Sequence, residues 1–250
     1  MSIIGSEIIR LAEVDSTNRF YMDWLGIERP AEGTVVIADA QTAGRGLDGT
    51  VWESTPFMNL TFSYVLYPDF LAPDSQFCLN KAISLGLADA LKKILPYQND
   101  IRIKWPNDIY IGDRKLAGTL IQNGVKGSRF DFAVIGIGLN VNQDNFPSFA
   151  VNPVSLKMAA AKDFDLDEIF KIVANHLNSR YDQLKKGATK IIDVDYLNLL
   201  YRFQQLSGFI YKKTHIRGKI TGVNRYGQLV VEIPGEKIIQ CDLKEISFDF

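Results

Sequence analysis

The chain has 250 residues, with 28 lysines and arginines against 29 aspartates and glutamates, a net charge of −1. That balance supplies no global field to draw the protein onto nucleic acid or an anionic membrane. A hydrophobic content of 46% supports a large core, while no apolar run approaches the length that spans a bilayer.

The first residues, Met1-Ser2-Ile3-Ile4-Gly5, lack the long apolar stretch of a signal peptide. Asp15-Ser16-Thr17-Asn18 reads as an N-cap that opens a helix over about 18–25. A strand is predicted over 34–38. After it comes Gln41-Thr42-Ala43-Gly44-Arg45-Gly46-Leu47-Asp48-Gly49, then Trp52. Gly44, Gly46 and Gly49 match G-x-G-x-x-G, but a dinucleotide fingerprint needs a helix to open there. The residues over 59–65 read instead as another strand. A glycine loop carrying Arg45 fits better, able to wrap an anion with backbone N–H groups and a guanidinium.

A helix is predicted over 74–95, stopped by Pro96. Ile101, Ile103 and Trp105 then alternate with Arg102 and Lys104, the period of a half-buried strand. Pro106-Asn107-Asp108 interrupts it, 109–111 resumes it, and Gly112-Asp113 turns the chain back. Simple alternation puts Lys115, Ala117, Thr119 and Ile121 on one face and Leu116, Gly118 and Leu120 on the other. Lysines this close to strand interiors need anionic partners. A salt-bridged hairpin rim, with Asp108 and Asp113 as counter-ions, competes with an anion site.

Over 134–142, Ile135, Ile137, Leu139 and Val141 alternate with Gly136, Gly138, Asn140 and Asn142. Two glycines on one strand face imply close approach by a ligand or by a packed neighbour. Further helices are predicted over 169–184 and 195–206. Past Ser207-Gly208, short strands are expected over 209–220, 228–233 and 237–246, with turns at Asn224-Arg225-Tyr226-Gly227 and Pro234-Gly235-Glu236. The chain therefore divides into residues 1–206, a mixed α/β domain, and 207–250, a β domain too small to stand without docking.

Absences narrow the chemistry. His176 and His215 are the only histidines, each read as structural or surface. Cys78 and Cys241 lack metal-ligand spacing and fit a reducing, cytoplasmic setting. No nucleophile elbow, phosphate-binding P-loop or paired-histidine motif occurs. Glycine, lysine, arginine, asparagine and glutamine are left, a set suited to orienting anions in nucleotidyl or acyl transfer.

Gly44-Arg45-Gly46, Trp52, Lys104-Trp105-Pro106-Asn107-Asp108, Lys115-Leu116-Ala117-Gly118 and Gly136-Ile137-Gly138-Leu139-Asn140 resemble, in order and spacing, the biotin protein ligases. The resemblance implies a mixed sheet with helices on one side, followed by a small SH3-like barrel. It implies two reactions: biotin and ATP, with Mg²⁺, give biotinyl-5′-adenylate, which then acylates a lysine of a biotin carboxyl carrier domain. By matching position, Ser16, Thr17, Gln41, Gly44 and Arg45 would bind biotin, together with Lys115, Gly118 and Gly136. Gly46, Trp52, Lys104, Asn107, Asp108, Gly138 and Asn140 would bind ATP or the adenylate. Lys115 and Arg45 would be catalytic, and Asp108 would meet the metal. The family often has a second arginine directly after Gly-Arg-Gly; here Leu47 stands there, which implies looser retention of the intermediate. Ser16-Thr17-Asn18 lies too near the start to leave room for a DNA-binding domain, so a ligase without repressor function is expected. An exposed sheet edge is open to a second subunit or to the carrier. A lipoate ligase or octanoyltransferase of related fold, and a non-catalytic binder, are the rival readings.

Overall fold

A computed structural model describes residues 3–127, 129–148, 150, 152–235 and 237–249, without the side chain of Asp48. Met1-Ser2, the Asp48 side chain and Glu236 of the second turn therefore lie outside the described residues.

The elements run β1 (Ile8–Val14), α1 (Thr17–Leu25), β2 (Val35–Gln41), β3 (Leu60–Leu66) and α2 (Gln76–Ile94). Then come β4 (Ile101–Lys104), β5 (Asp108–Ile111), β6 (Arg114–Lys126) and β7 (Arg129–Leu139). The helices α3 (Leu156–Ala160), α4 (Leu166–Lys185) and α5 (Thr189–Leu199) follow. Five strands complete the described chain: β8 (Leu206–Tyr211), β9 (Thr214–Val223), β10 (Leu229–Glu232), β11 (Ile238–Cys241) and β12 (Ile246–Phe248).

The first seven strands form one mixed sheet, ordered β1-β2-β3-β7-β6-β5-β4. Only β1–β2 is parallel; the other pairs are antiparallel. Alternation along the strands gives each face its own core. Val35, Ile37, Phe62, Tyr64 and Ile135 pack with α2 and α4. Val36, Val65 and Val134 turn the other way and meet Tyr21 of α1. The long helices thus share one side, while α1 covers part of the opposite side. The second sheet, β11-β10-β9-β8-β12, is wholly antiparallel. Among the described residues no helix is long and apolar enough to cross a membrane.

Four local expectations are corrected. The helix expected over 195–206 is α5, which begins and ends earlier. Leu200 is extended, Tyr201 N–H donates to Ile103 O at 2.9 Å, and Arg202 and Gln204 have positive φ, so the chain leaves the helix to lie beside β4. The single strand expected over 209–220 is a β8–β9 hairpin whose turn is Lys212-Lys213, both at positive φ. Two lysines carry none of the usual Gly or Asn signal for such a turn. The stretch expected as one strand over 237–246 is split between β11 and the start of β12.

The fourth correction moves the key lysine. Tyr110 pairs with Lys115 and Ile109 with Ala117, leaving Leu116 as the extra residue of a β-bulge. Leu116 and Ala117 both enter the helix-side core. Lys115 then comes onto the same side as Gly118, not opposite to it: a Cβ on Gly118 would lie 3.3 Å from Lys115 Nζ.

Candidate active site

A cavity of about 300 Å³ opens over the α1 side of the large sheet. Its walls come from the N-terminus of α1, the end of β2, the 44–54 loop, the β4–β5 turn, β6 and β7, with Leu243 of the C-terminal region closing one side. Chemically it has a polar end and a cationic end.

The polar end is built on the first turn of α1. Ser16 takes the N-cap position in extended conformation, yet its side chain does not cap the helix. Gln41, arriving from β2, does that job: its Oε1 accepts from Thr17 N–H at 2.9 Å. One of the helix's orphan donors is thereby satisfied from a neighbouring strand. Beneath lies Ser63 of β3, fully buried, with its hydroxyl 2.7 Å from Thr17 Oγ1 and 2.6 Å from Asn18 Oδ1. Asn18 Nδ2 reaches Leu120 O and Gln122 Oε1, each at 3.3 Å. Gly136 pairs with Ser63 across β3–β7 and leaves space for Asn18, since a Cβ there would sit 2.3 Å from Asn18 Oδ1.

At the cationic end, Lys104 and Asp108 face each other across the β4–β5 pair. Asp108 Oδ1 binds Lys115 Nζ at 2.8 Å. Burial lowers the Lys104 pKa below the ordinary lysine value; Asp108 opposes that shift, while Lys115 and Arg202 add to it. The Lys104 ammonium also lies 5.0 Å from the Phe248 ring centroid, a contact with the second sheet. Lys115 is fixed through its backbone: its N–H donates to Asn152 O at 2.7 Å and its carbonyl accepts from Val154 N–H at 2.9 Å. Asn107 returns into the sheet, its side-chain amide donating to Thr119 O.

The glycine loop is a small hairpin. Gly46 N–H donates to Thr50 O at 2.7 Å and Trp52 N–H to Gly44 O at 3.0 Å, with a single 3-10 turn at Leu47–Gly49. No helix opens after the third glycine, so the dinucleotide reading fails. Trp52 crosses to Gly138, where a Cβ would fall 2.3 Å from the ring. Both glycines of β7 thus admit a close side-chain neighbour as well as lining the cavity. The base of the loop is tied by Gln143, whose Oε1 accepts from Thr55 N–H at 3.0 Å and whose Nε2 donates to Glu53 at 3.1 Å.

Thirteen of the fifteen expected site residues line this one cavity. They are Ser16, Thr17, Gln41, Arg45, Gly46, Trp52, Lys104, Asn107, Asp108, Lys115, Gly118, Gly136 and Gly138. Gly44 and Asn140 do not. Gly44 is the buried base of the loop hairpin, where a Cβ would strike Trp52 O at 2.3 Å. Asn140 donates through Nδ2 to Val154 O at 3.0 Å, and its N–H binds Leu116 O at 3.0 Å. Asn140 therefore braces the segments on either side of Lys115. The roles of Asn18, Ser63, Gln122 and Gln143 were not anticipated. The signal for Ser63 was present: Thr61 and Ser63 alternate with Phe62 and Tyr64 on a strand otherwise fit for the core.

Among the described residues no three His, Cys, Asp or Glu side chains gather as a metal cluster. Asp108 is the one acid among the described cavity-lining residues, and it already holds Lys115. That donor set suits a magnesium ion carried mainly by phosphate oxygens, which needs one or two carboxylates at most.

The profile of the biotin/lipoate A/B protein ligase family matches residues 11–140, more than half of the chain. A bifunctional ligase/repressor of Bacillus spizizenii is 30% identical over 254 aligned positions, covering 97% of this chain and 75% of that protein. A human biotin–protein ligase is 29% identical across 97% of this chain but only 34% of its own length. Among solved structures, the Aquifex aeolicus biotin protein ligase in complex with biotin and ATP superposes with a TM-score of 0.79 at 26% identity. That match covers 98% of this chain and 99% of the other. On profile, relatives and fold together, the chain belongs to the biotin/lipoate A/B protein ligase family.

Proposed function

We propose that the protein is a biotin protein ligase that couples ATP cleavage to biotinylation of a carrier lysine. The carrying observation is the two-ended cavity, in which neutral hydrogen-bonding side chains and lysines face one continuous space. A polar ring system fits the Ser16, Thr17 and Gln41 end, which leaves its carboxylate near Lys115. In the first step a carboxylate oxygen attacks the α-phosphorus of ATP, the bond to the β-phosphate oxygen breaks, and pyrophosphate leaves. Lys115 and Lys104 would stabilise the charge that gathers on the phosphate oxygens, with Asp108 holding the Lys115 amine in place. Mg²⁺ bound to the triphosphate would neutralise further charge, and Asp108 is the acid available to it. Arg45 and the loop that carries it would cover the adenylate and keep water from the mixed anhydride. In the second step the carrier's lysine amine attacks the biotinyl carbonyl, AMP leaves and the amine sheds a proton.

The partner in this reading is the biotin carboxyl carrier domain of a carboxylase; the relative from Mycobacterium tuberculosis is named for ligation to acetyl-CoA carboxylase. The two sheets support a division into a catalytic domain, 1–206, and an SH3-like domain, 207–250. Free Cys78 and Cys241 support a cytoplasmic setting. The hydrogen-bonding end favours biotin over lipoate or octanoate, which offer no ring N–H groups. The test is ATP–pyrophosphate exchange with each acid in turn. Exchange with biotin alone is expected; exchange driven better by lipoate or octanoate would overturn the assignment.

A further inference from the structure

Ser63 does not line the cavity, yet it decides what the polar end offers. Two backbone groups fix the ends of its network. Leu120 O only accepts, so Asn18 must turn its nitrogen toward it and its oxygen toward Ser63. Thr17 N–H only donates, so Gln41 must turn its oxygen toward Thr17. Between these ends lie two hydroxyls with one proton each.

The 2.6 Å contact from Ser63 to the Asn18 oxygen requires the Ser63 proton. Ser63 can then only accept from Thr17, 2.7 Å away, so the Thr17 proton lies toward Ser63. The Gln41 oxygen, 3.2 Å from Thr17 Oγ1, can share that proton but cannot supply one. Both protons are therefore held inside the network. What Thr17 presents to the cavity is a lone pair, while Gln41, with its oxygen engaged, has its Nε2–H donors left to give.

We propose that Ser63 is a specificity-determining positioning residue that makes Thr17 a pure acceptor, so that the site demands a ring N–H at that point of its ligand. This rests on the biotin reading, because a cyclic urea supplies such an N–H beside a carbonyl that can take the Gln41 donor. An isosteric ring with oxygen in that position would set lone pair against lone pair, with no proton free to turn between them. Removing the Ser63 hydroxyl leaves the Thr17 proton only the longer 3.2 Å contact to the Gln41 oxygen, from which it can turn to donate to a ligand.

The experiment compares biotin with its two regioisomeric cyclic carbamates, in each of which one ring N–H is replaced by oxygen. The readout is kcat/KM for pyrophosphate exchange by the parent, Ser63→Ala and Ser63→Thr. The parent should reject at least one carbamate by about a hundredfold or more, as sites with committed hydrogen-bond partners do. Ser63→Ala should raise KM for biotin and shrink that ratio about tenfold or more; Ser63→Thr, which keeps the hydroxyl, should hold it. Equal loss of biotin and carbamate activity in Ser63→Ala, with the ratio unchanged, would reduce Ser63 to structural support and overturn the proposal. Parent activity on both carbamates equal to that on biotin would overturn it as well. Absence of biotin-dependent exchange in the parent would instead overturn the ligase reading, and this proposal with it.

Discussion

Lys115 is held at three points: its N–H on Asn152 O, its carbonyl on Val154 N–H, and its ammonium on Asp108. The two backbone bonds fix where the side chain starts and Asp108 directs its ammonium, an arrangement that places a cation for a charge-building step. Lys115→Ala should therefore lower pyrophosphate exchange by at least about 10²-fold while leaving the circular dichroism spectrum intact. Near-parent exchange would remove Lys115 from the chemistry. Lys104 carries a pH dependence. Its lowered pKa means that its charge is lost first as pH rises, so ATP binding should weaken on the alkaline side before the ordinary lysine range is reached. Lys104→Arg should abolish that limb in a KM–pH profile, because a guanidinium stays charged. An unchanged limb would assign it to another group. Leu47 lines the cavity, and its apolar side chain offers an adenylate no charge-assisted bond. Leu47→Arg should lengthen the lifetime of bound, labelled adenylate about tenfold or more in a chase at matched salt. Equal or faster release would show that Leu47 is not a weak point.

At the scale of elements, the 44–54 loop is closed by bonds within itself and anchored at its base through Gln143. Arg45, by contrast, is exposed, on the arm of the hairpin opposite Val51. Amides of 45–51 should exchange quickly in the free protein and slow in the presence of biotin and ATP; equal protection in both states would deny the loop a covering role. The strands that carry the site were legible because their signals are local: alternation at Ile101, Ile103 and Trp105, and glycines spaced by two at Gly136 and Gly138. What was not legible depended on pairing. The bulge at Leu116 is fixed by β5 and by the core, so Lys115 could be named from the sequence but put on the wrong face. The Lys212-Lys213 turn takes its positive φ from the hairpin it closes. Ser63 shows a hydroxyl on a strand, but its partners, Thr17 and Asn18, come from a distant helix. Asn140 looked like a ligand-reading amide by position, and its hydrogen bonds to backbone are visible only in three dimensions.

At the scale of the molecule, the two sheets are joined at the cavity itself. Trp105 Nε1–H donates to Gly227 O at 2.8 Å, and Arg225 binds Asp74 at 2.9 Å on the flank. Gly227 fits there because a Cβ would lie 2.5 Å from the Phe77 ring. Trp105→Phe keeps the apolar ring and removes the bond, so stability should fall by roughly 1 kcal/mol. Amides of β8–β12 should then exchange faster, while those of β3 and β7 keep their protection. A uniform change across both sheets would mean that the contact is not a local tether. The cavity walls run from Ser16 to Leu243, so almost the whole described chain must be in place before the site exists. Ligand occupancy is consequently a thermodynamic brace for the entire molecule. A substrate that binds only the assembled form adds about 2.7 kcal/mol to folding when present at a hundred times its Kd. Nutrient supply and protein lifetime become linked: a cell short of biotin would hold a ligase that opens, and is degraded, more readily than one well fed.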